Sequence, residues 1–355
     1  MAAVTAFERI HVRAAAPGEG AVIAGLWREL WEAHESWGGY ASARDPRVFE
    51  RIGVRLDEDA RVRGGHPVLG RHVHLIAAFN EGRSRNPDVV GQVEGWFERH
   101  GIEPQTPFTC EVRSLIVGER ARGLRVGRAL LEALAVHAAS LSRNGPVVMA
   151  AEVLEPNPAH AFYERLGYAP VSWSARMSTS HPVSPTALHA RVAEPGDALA
   201  IGMLESQLAV RRRSSGDLRF DRPRAIDATF VGSISTHLAR TYRDAAEAIE
   251  LVTVDAKGHV RAAASVAIAP LDPPFVPTKR SILGRFAVDP AGDPHALVAP
   301  LIALGCRIAA SREAPTIELT DLTAPNTALY RAALALGARP WSRIVTKLVQ
   351  GSSAP

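Results

Sequence analysis

The chain has 355 residues, of which 46% are hydrophobic and 22% charged, and its formal net charge is +4. This length exceeds one ordinary hydrophobic core and predicts two domains, while the composition excludes a disordered or fibrous protein. Two cysteines, Cys110 and Cys306, are too few for a disulfide framework or a zinc cluster. We therefore expect a reduced, cytoplasmic setting.

Membrane and nucleic-acid partners are not expected from the charge and hydropathy pattern. No run of about 18 apolar residues occurs, and residues 1–15 lack the basic and apolar regions of a secretory signal. The basic cluster Arg211–Arg213 is read as a solvated surface patch, because nucleic-acid binding calls for a broader basic stripe. The predominance of arginine over lysine is typical of a GC-rich genome, so we expect a bacterial source.

Hydrophobic periodicity in the first half predicts a strand, two helices, three strands, a helix, a strand and a last helix. Asp45–Pro46 is a good start for the second helix, and Gly167 ends the last one. The expected bounds are Arg9–Arg13, Gly18–Glu35, Asp45–Arg61, His72–Phe79, Val89–Phe97, Phe108–Val117, Val126–Ser142, Val147–Leu154 and Pro158–Leu166.

A connector rich in Ser, Pro and Thr, Met177–Thr186, marks a domain boundary. After it the same order of elements restarts at a spacing of about 170 residues, which indicates an internal duplication. We therefore assign a first domain to residues 1–177, a linker to 178–187 and a second domain to 188–350. The expected bounds in the second domain are Leu188–Val192, Asp197–Val210, Arg224–Arg240, Ile249–Val254, Val260–Ala269, Ser281–Val288, His295–Ser311, Thr316–Thr320 and Asn326–Leu336.

A short basic loop containing glycine lies between the strand that ends at Val117 and the helix that begins at Val126. The unpaired N–H groups and positive dipole end of a helix start suit a pyrophosphate. Small residues allow its close approach to the backbone, and Arg122 and Arg128 add positive charge at the same place. The pattern matches neither a Walker P-loop nor a dinucleotide-binding fingerprint.

This loop resembles the Q/R-x-x-G-x-G/A signature with which the GNAT superfamily of N-acetyltransferases holds the pyrophosphate of acetyl-CoA. Arg122 and Gly127 stand at its first and last positions. Arg125 replaces the middle glycine, and we expect it to adopt ordinary helical dihedrals that leave the loop functional. Asn157–Tyr168 resembles the later signature of the same family, N-x-x-A-x-x-F/L-Y-x-x-x-G-F/Y. The resemblance covers nearly all of residues 8–177.

The resemblance implies an α/β fold (α+β in some schemes) made of tandem GNAT folds. Each would be a central mixed, mostly antiparallel sheet flanked by helices. It also implies acetyl-CoA as acyl donor, no metal and direct transfer without an acyl-enzyme. The positions that would contact acetyl-CoA are Leu115, Ile116, Val117, Arg122, Gly123, Leu124, Arg125, Val126, Gly127, Arg128 and Asn157.

Tyr163 occupies the family position of the general acid that protonates the leaving thiolate. Glu111 coincides with a glutamate that some members use as general base. Arg113 could instead hold Glu111 in an ion pair, and Glu94, Glu152, His34 or water are alternative proton acceptors.

An aromatic group near the start of the chain could line an acceptor pocket, although Trp27 and Trp31 could equally be helix core. Its members are Trp27, Trp31, His34 and Tyr40. His72 and His74 alternate on one strand with no third ligand in view, so a metal site is not expected.

The second half resembles the same fold without its chemistry. Asp293 and Pro294 stand where Arg122 and Gly123 stand in the first half, which removes a positive charge and an N–H donor. Aligning the glycines that end the last helices puts Ala333 at the tyrosine position and displaces Tyr330 by about one turn. We expect a non-catalytic pseudo-dimer partner, in a monomer or a homodimer.

The function expected from the sequence is N-acetylation of a small amine by the first domain. Transfer of a longer acyl group, transfer to a hydroxyl, or a non-catalytic acyl-CoA-binding regulatory protein are the alternatives.

Overall fold

The computed structural model describes residues 10–79, 88–99, 108–142, 145–183, 186–219, 226–243, 248–271, 273–323 and 327–349. The expected boundary residues Arg9, Arg224 and Asn326 lie outside these ranges, as do residues 184–185 of the linker and the outer ends of both assigned domains. Within the chain two compact units are distinguished. The first comprises residues 1–152, 158–168 and 346–355, and the second comprises residues 153–157 and 169–345.

The described residues form fifteen strands and eight α-helices. The strands are β1 (Ile10–Ala14), β2 (Ala41–Ser42), β3 (Val68–Leu69), β4 (His72–Phe79), β5 (Asp88–Arg99), β6 (Phe108–Val117), β7 (Val147–Leu154), β8 (Ala169–Ser178), β9 (His189–Val192), β10 (Ala248–Val254), β11 (Val260–Pro270), β12 (Phe275–Val276), β13 (Lys279–Val288), β14 (Thr316–Leu322) and β15 (Arg339–Val349). The helices are α1 (Gly20–Ser36), α2 (Pro46–Arg63), α3 (Val126–Leu141), α4 (His160–Arg165), α5 (Ala198–Ser214), α6 (Ala228–Arg243), α7 (Pro294–Ser311) and α8 (Ala328–Ala335).

The first unit has a central sheet in the order β1–β4–β5–β6–β7. Neighbouring strands are antiparallel except for β6 and β7, which are parallel. Helix α2 begins where the sequence predicts, because the Asp45 side chain accepts a hydrogen bond from the N–H of Arg47 and Pro46 follows it. It ends at Gly64, which is left-handed (φ 59°).

The second unit repeats this arrangement with the order β9–β10–β11–β13–β14–β8. Only β13 and β14 are parallel among the described pairs. The fold class expected from the sequence, a mixed and mostly antiparallel sheet flanked by helices in each unit, is confirmed. The assignment of residues 1–177 as the active domain and residues 188–350 as a non-catalytic domain stays a prediction.

Helix α7 is the one helix among the described residues with the length and hydropathy of a membrane span. Its buried residues, Leu301 and Ile302 among them, belong to the hydrophobic core of the second unit. Burial in this core accounts for its apolar composition.

Most long elements lie within a few residues of their predicted bounds, but β8 and β15 were not predicted. The connector begins inside β8, which runs on to Ser178. Strand β8 was overlooked although its run Val171–Ala175 alternates apolar and polar residues. Strand β15 shows no clean alternation, and a sequence pattern identifies such a strand poorly.

Candidate functional site

The loop between β6 and α3 makes two sharp turns within eight residues. A short 3₁₀ turn, Glu119–Ala121, is followed by Arg122 in an extended conformation. Gly123 then adopts φ 83°, a left-handed value that glycine tolerates without strain. Arg125, the residue before α3, has φ 64° and ψ 11°. The arginines of this loop, Arg120, Arg122 and Arg125, are exposed.

The expectation that Arg125 adopts helical dihedrals is wrong. Its φ of 64° lies in the left-handed region, which costs an L-residue about 1–2 kcal/mol. The turn demands this geometry because the chain reverses direction immediately before Val126, and an arginine satisfies it only at the cost of strain. The family's glycine at this position would adopt the same conformation without that cost.

The start of α3 is suited to an anion. No side chain in the described part of the chain caps this helix, and its first N–H groups have no acceptor within the helix. The Nε of Arg122 lies 3.3 Å from the carbonyl oxygen of Val117, so its guanidinium stays close to the loop. The positive end of the helix dipole, N–H groups without an acceptor and the Arg122 side chain therefore lie together at the start of α3.

Gly127 brings helix α4 against this loop. A Cβ atom at Gly127 would meet the Phe162 ring at 3.1 Å, so only glycine permits the contact without displacement. Phe162 in turn packs edge to face on Tyr163, with ring centroids 5.3 Å apart. Tyr163 is buried, and burial raises the pKa of its phenol well above the ordinary value. The hydroxyl therefore stays protonated and can donate a hydrogen bond at any physiological pH.

Strand β6 separates from β7 beside this loop. The last parallel pair is Val112 with Ala151, although β6 continues to Val117. The backbone groups of β6 beyond Val112 therefore have no partner in the β7 ladder. At the same place a β-bulge shifts the β5–β6 register, and Ser114 adopts φ 49°. The bulge interrupts the period of two, so alternation does not place Glu111 and Leu115 on one face of β6.

A buried chain of polar groups approaches this bulge. Arg63 lies 2.5 Å from Nδ1 of His72, and Nε2 of His72 lies 3.2 Å from Oε1 of Glu94. Because a guanidinium only donates, the proton of His72 is on Nε2, facing the carboxylate. Burial alone would raise the pKa of Glu94, but His72, His74 and the Ser114 hydroxyl together outweigh it and the pKa is lowered. Glu94 is therefore a poor proton acceptor near neutral pH.

Two further proton acceptors predicted from the sequence differ in their surroundings. Glu111 forms an ion pair with Arg113 at 2.6 Å, which was the alternative to a base role. His34, at the end of α1, has a pKa lowered by burial, against an opposing effect of the Glu152 carboxylate. Glu152 is the residue after Ala151, where the β6–β7 ladder ends. The neutral imidazole of His34 is thus near the point at which the two strands separate.

The remaining predicted residues occupy varied environments. Trp27 and Trp31 are buried on α1 and pack edge to face at 5.1 Å, which agrees with a core role for their rings. The indole Nε1 of Trp27 is buried without a hydrogen-bond partner among the described residues. Tyr40 and Asn157 are half-buried. No group of three His, Cys, Asp or Glu side chains within the described ranges could hold a metal ion.

The equivalent helix start in the second unit is closed. Helix α7 begins at Pro294, which has no N–H, and the Asp293 carboxylate accepts hydrogen bonds from the N–H groups of His295 and Ala296. At the end of α8, the N–H of Ala338 bonds to the carbonyl of Ala333 as that of Tyr168 bonds to Tyr163. Ala333 therefore stands at the position of Tyr163.

The strand separation in the second unit is filled by a carboxylate. The last β13–β14 pair is Leu283 with Leu319, and Arg285 forms a bulge with φ 57°. The Asp321 side chain accepts the backbone N–H of Arg285 and lies 2.9 Å from Arg212. Burial alone would raise the pKa of Asp321, but the charges of Arg212 and Arg219 lower it.

Several residues of the two units were not predicted from the sequence. The expected solvated patch at Arg211–Arg213 is wrong for Arg212, which is 3% exposed. Its partner Asp321 is 109 residues away along the chain, so no local pattern could reveal the pair. Gln92, on β5, was also overlooked, although a polar residue within an apolar run of a strand could have indicated a buried polar contact.

Comparisons with known proteins agree with this architecture. The model of the acetyltransferase (GNAT) family matches residues 26–168. No curated protein is significantly similar in sequence. A GCN5-related N-acetyltransferase from Sphaerobacter thermophilus is 16% identical, with 96% of each chain covered and a TM-score of 0.55.

Two other solved structures are also similar. A GCN5-related glucosamine N-acetyltransferase region of a fungal multi-domain GH3 β-N-acetylglucosaminidase is 12% identical over 98% of this chain and 39% of that chain, with a TM-score of 0.51. A tandem GNAT protein from the clavulanic acid biosynthesis pathway is 17% identical over 98% and 100% of the two chains, with a TM-score of 0.48. At such identities the likeness concerns the fold.

The conformation of Arg125 has a measurable consequence. Arg125→Gly removes the left-handed strain and should stabilise the protein by about 0.5–1 kcal/mol, after allowing for the greater flexibility of glycine when unfolded. Arg128→Gly, an equally exposed change inside the first turn of α3, should destabilise by about 1 kcal/mol. Calorimetric melting of both variants checks the opposite signs. Equal losses of stability would contradict the strained turn.

Proposed function

Because residues 26–168 are a domain of the acetyltransferase (GNAT) family, whose members use acyl-CoA, we propose that this chain is an N-acetyltransferase. In this proposal the first unit binds acetyl-CoA and transfers the acetyl group directly to a small amine. The second unit serves as a non-catalytic partner within the same chain.

The observation that carries the proposal is the contrast between the two helix starts. The α3 start has no side-chain cap in the described chain and three arginines nearby, whereas the α7 start is capped by Asp293. A pyrophosphate needs N–H donors that no internal carboxylate has taken. The first unit meets this requirement and the second does not.

The residues of the first unit supply the remaining chemistry. Backbone N–H groups of β6 beyond Val112 would polarise the thioester carbonyl and stabilise the oxyanion. The amine nitrogen then bonds to the carbonyl carbon, the carbon–sulfur bond breaks, and the proton lost by the amine passes to a base. Tyr163 would donate a hydrogen bond, and finally a proton, to the leaving sulfur.

We further propose His34 as the proton acceptor ahead of Glu111. A neutral imidazole accepts a proton readily near neutral pH, whereas the Glu111 carboxylate is engaged in an ion pair with Arg113. His34 also interacts with Glu152 at the point where β6 and β7 separate. Glu111 lies before that point, within the paired part of β6.

Binding of acetyl-CoA is the first test. Isothermal titration should show one site per chain, and Arg122→Glu should weaken binding by about tenfold or more, because a charge reversal beside the pyrophosphate costs at least 1.4 kcal/mol. Arg55→Glu, an equal charge reversal on the exposed face of α2, is the control and should bind normally. Two sites, or equal loss in both variants, would refute the assignment to the first unit.

Tyr163 is tested against its neighbour. Tyr163→Phe should lower kcat by about 10²-fold, since it removes only the hydroxyl that serves the leaving sulfur. Release of the CoA thiol is measured with glucosamine, lysine and putrescine as acceptors. Tyr168→Phe is the matched control, because Tyr168 is also buried and packs on Tyr163 at 5.2 Å. If acetyl-CoA binds but Tyr163→Phe turns over normally, the general-acid role is rejected.

The pH profile of kcat distinguishes the two bases. His34 has a lowered pKa, so activity should be lost as pH falls through a value below about 6.5. His34→Gln should abolish this acid limb and reduce kcat by about 10²-fold, while Glu111→Gln should retain it. Retention of the limb in His34→Gln and its loss in Glu111→Gln would reverse the assignment.

A further inference from the structure

Gln92 is a fully buried amide that joins an imidazole to the bulge in β6. Its Oε1 lies 2.8 Å from Nε2 of His74, and its Nε2 donates to the carbonyl oxygen of Ser114 at 3.4 Å. Gln92 is 0% exposed and His74 3% exposed. Because the amide oxygen only accepts, the proton of His74 is on Nε2, and this orients the Gln92 NH₂ group toward Ser114.

A second contact fixes the same residue from its side chain. The Ser114 hydroxyl hydrogen-bonds to the Glu94 carboxylate, and Glu94 is held by His72. Two chains of polar groups, one ending at the carbonyl and one at the hydroxyl, therefore converge on Ser114. A residue other than glycine stays in the unfavourable left-handed region only when several contacts with its surroundings hold it there. The hydrogen bonds at the Ser114 carbonyl and hydroxyl are such contacts.

The second unit offers an internal comparison. Its bulge residue is Arg285, and the strand pairing puts Ala263 at the position of Gln92 and Ser265 at that of Glu94. Ala263 has no side-chain amide that could reach the bulge. In this unit the backbone N–H of Arg285 is bonded to Asp321. The amide link thus occurs in the unit with the open helix start.

We propose that Gln92 and His74 are positioning residues that hold the Ser114 bulge, so that the N–H groups of β6 keep the orientation required by the thioester carbonyl. This inference rests on the proposed function. Gln92 acts through the Ser114 carbonyl, and His74 acts only by orienting Gln92. Loss of the link therefore impairs the step in which the oxyanion forms, and leaves the pyrophosphate contacts at α3 in place.

Gln92→Met removes both hydrogen bonds at nearly constant volume. We expect kcat to fall by about tenfold or more while the dissociation constant for acetyl-CoA, from isothermal titration, changes by less than about threefold. Thr109→Val is the matched control: Thr109 is also 0% exposed, lies on β6, and its hydroxyl has no partner among the described residues. It should leave both quantities unchanged.

Hydrogen exchange gives a readout that needs no turnover. In Gln92→Met the amides of residues 114–117 should exchange faster than in wild type, and in Thr109→Val they should not. Gln92→Leu, which has neither a donor nor an acceptor, should match Gln92→Met in exchange and kcat, and serves if Gln92→Met fails to fold. The Gln92→Met/His74→Leu double variant should lose no more kcat than Gln92→Met.

Unchanged exchange at residues 114–117 in both Gln92 variants would overturn the inference, as would a loss confined to acetyl-CoA binding. If wild type does not bind acetyl-CoA but the Gln92 variants still accelerate exchange, the proposed function fails while the hold on the bulge stands. The two failures are thereby distinguished.

Discussion

The parting of two parallel strands in the middle of a sheet is the constraint on which both units depend. A strand that leaves its neighbour exposes backbone N–H and C=O groups that must find other partners, since buried groups without one are costly. In the first unit β6 leaves β7 after Val112, and in the second β13 leaves β14 after Leu283. Each unit must therefore satisfy a strand edge that its own fold has created.

The two units meet this requirement differently. In the second, the Asp321 carboxylate accepts the N–H of Arg285, and the buried Arg212 and the partly buried Arg219 balance its charge. Removing one partner from such a network leaves a charge uncompensated, so the arrangement keeps the N–H of Arg285 bonded to Asp321 and unavailable to a ligand. The α7 start is closed in the same manner by Asp293. A carboxylate at each place where a thioester or pyrophosphate would need a donor supports a structural role for this unit.

The local parts of this architecture could be predicted from sequence, and the long-range parts could not. The bounds of β4, β6 and β7 and the cap at Asp45 follow from periodicity and turn chemistry within a few residues. The left-handed Arg125 escaped prediction because arginine carries no local preference for that conformation. Gln92 with Ser114 and Arg212 with Asp321 join residues 22 and 109 positions apart. Only the long-range pairing of strands and the packing of helices on them bring these side chains together.

The bulge recurs at the equivalent position of both units, which indicates that strand pairing and not the residue type imposes it. Ser114 and Arg285 both have positive φ and both lie three residues before the end of their strands. Neither serine nor arginine favours the left-handed region, where Asn, Asp and Gly are the enriched residues. The strain is therefore imposed by strand pairing, in which one residue of β5 or β11 faces two of its partner. Strand pairing produces the bulge in both units, and the surrounding side chains determine which polar groups of the bulge residue are hydrogen-bonded. The polar chains through Gln92 and Glu94 hold the bulge of the first unit from its carbonyl and hydroxyl sides, whereas Asp321 occupies the N–H in the second.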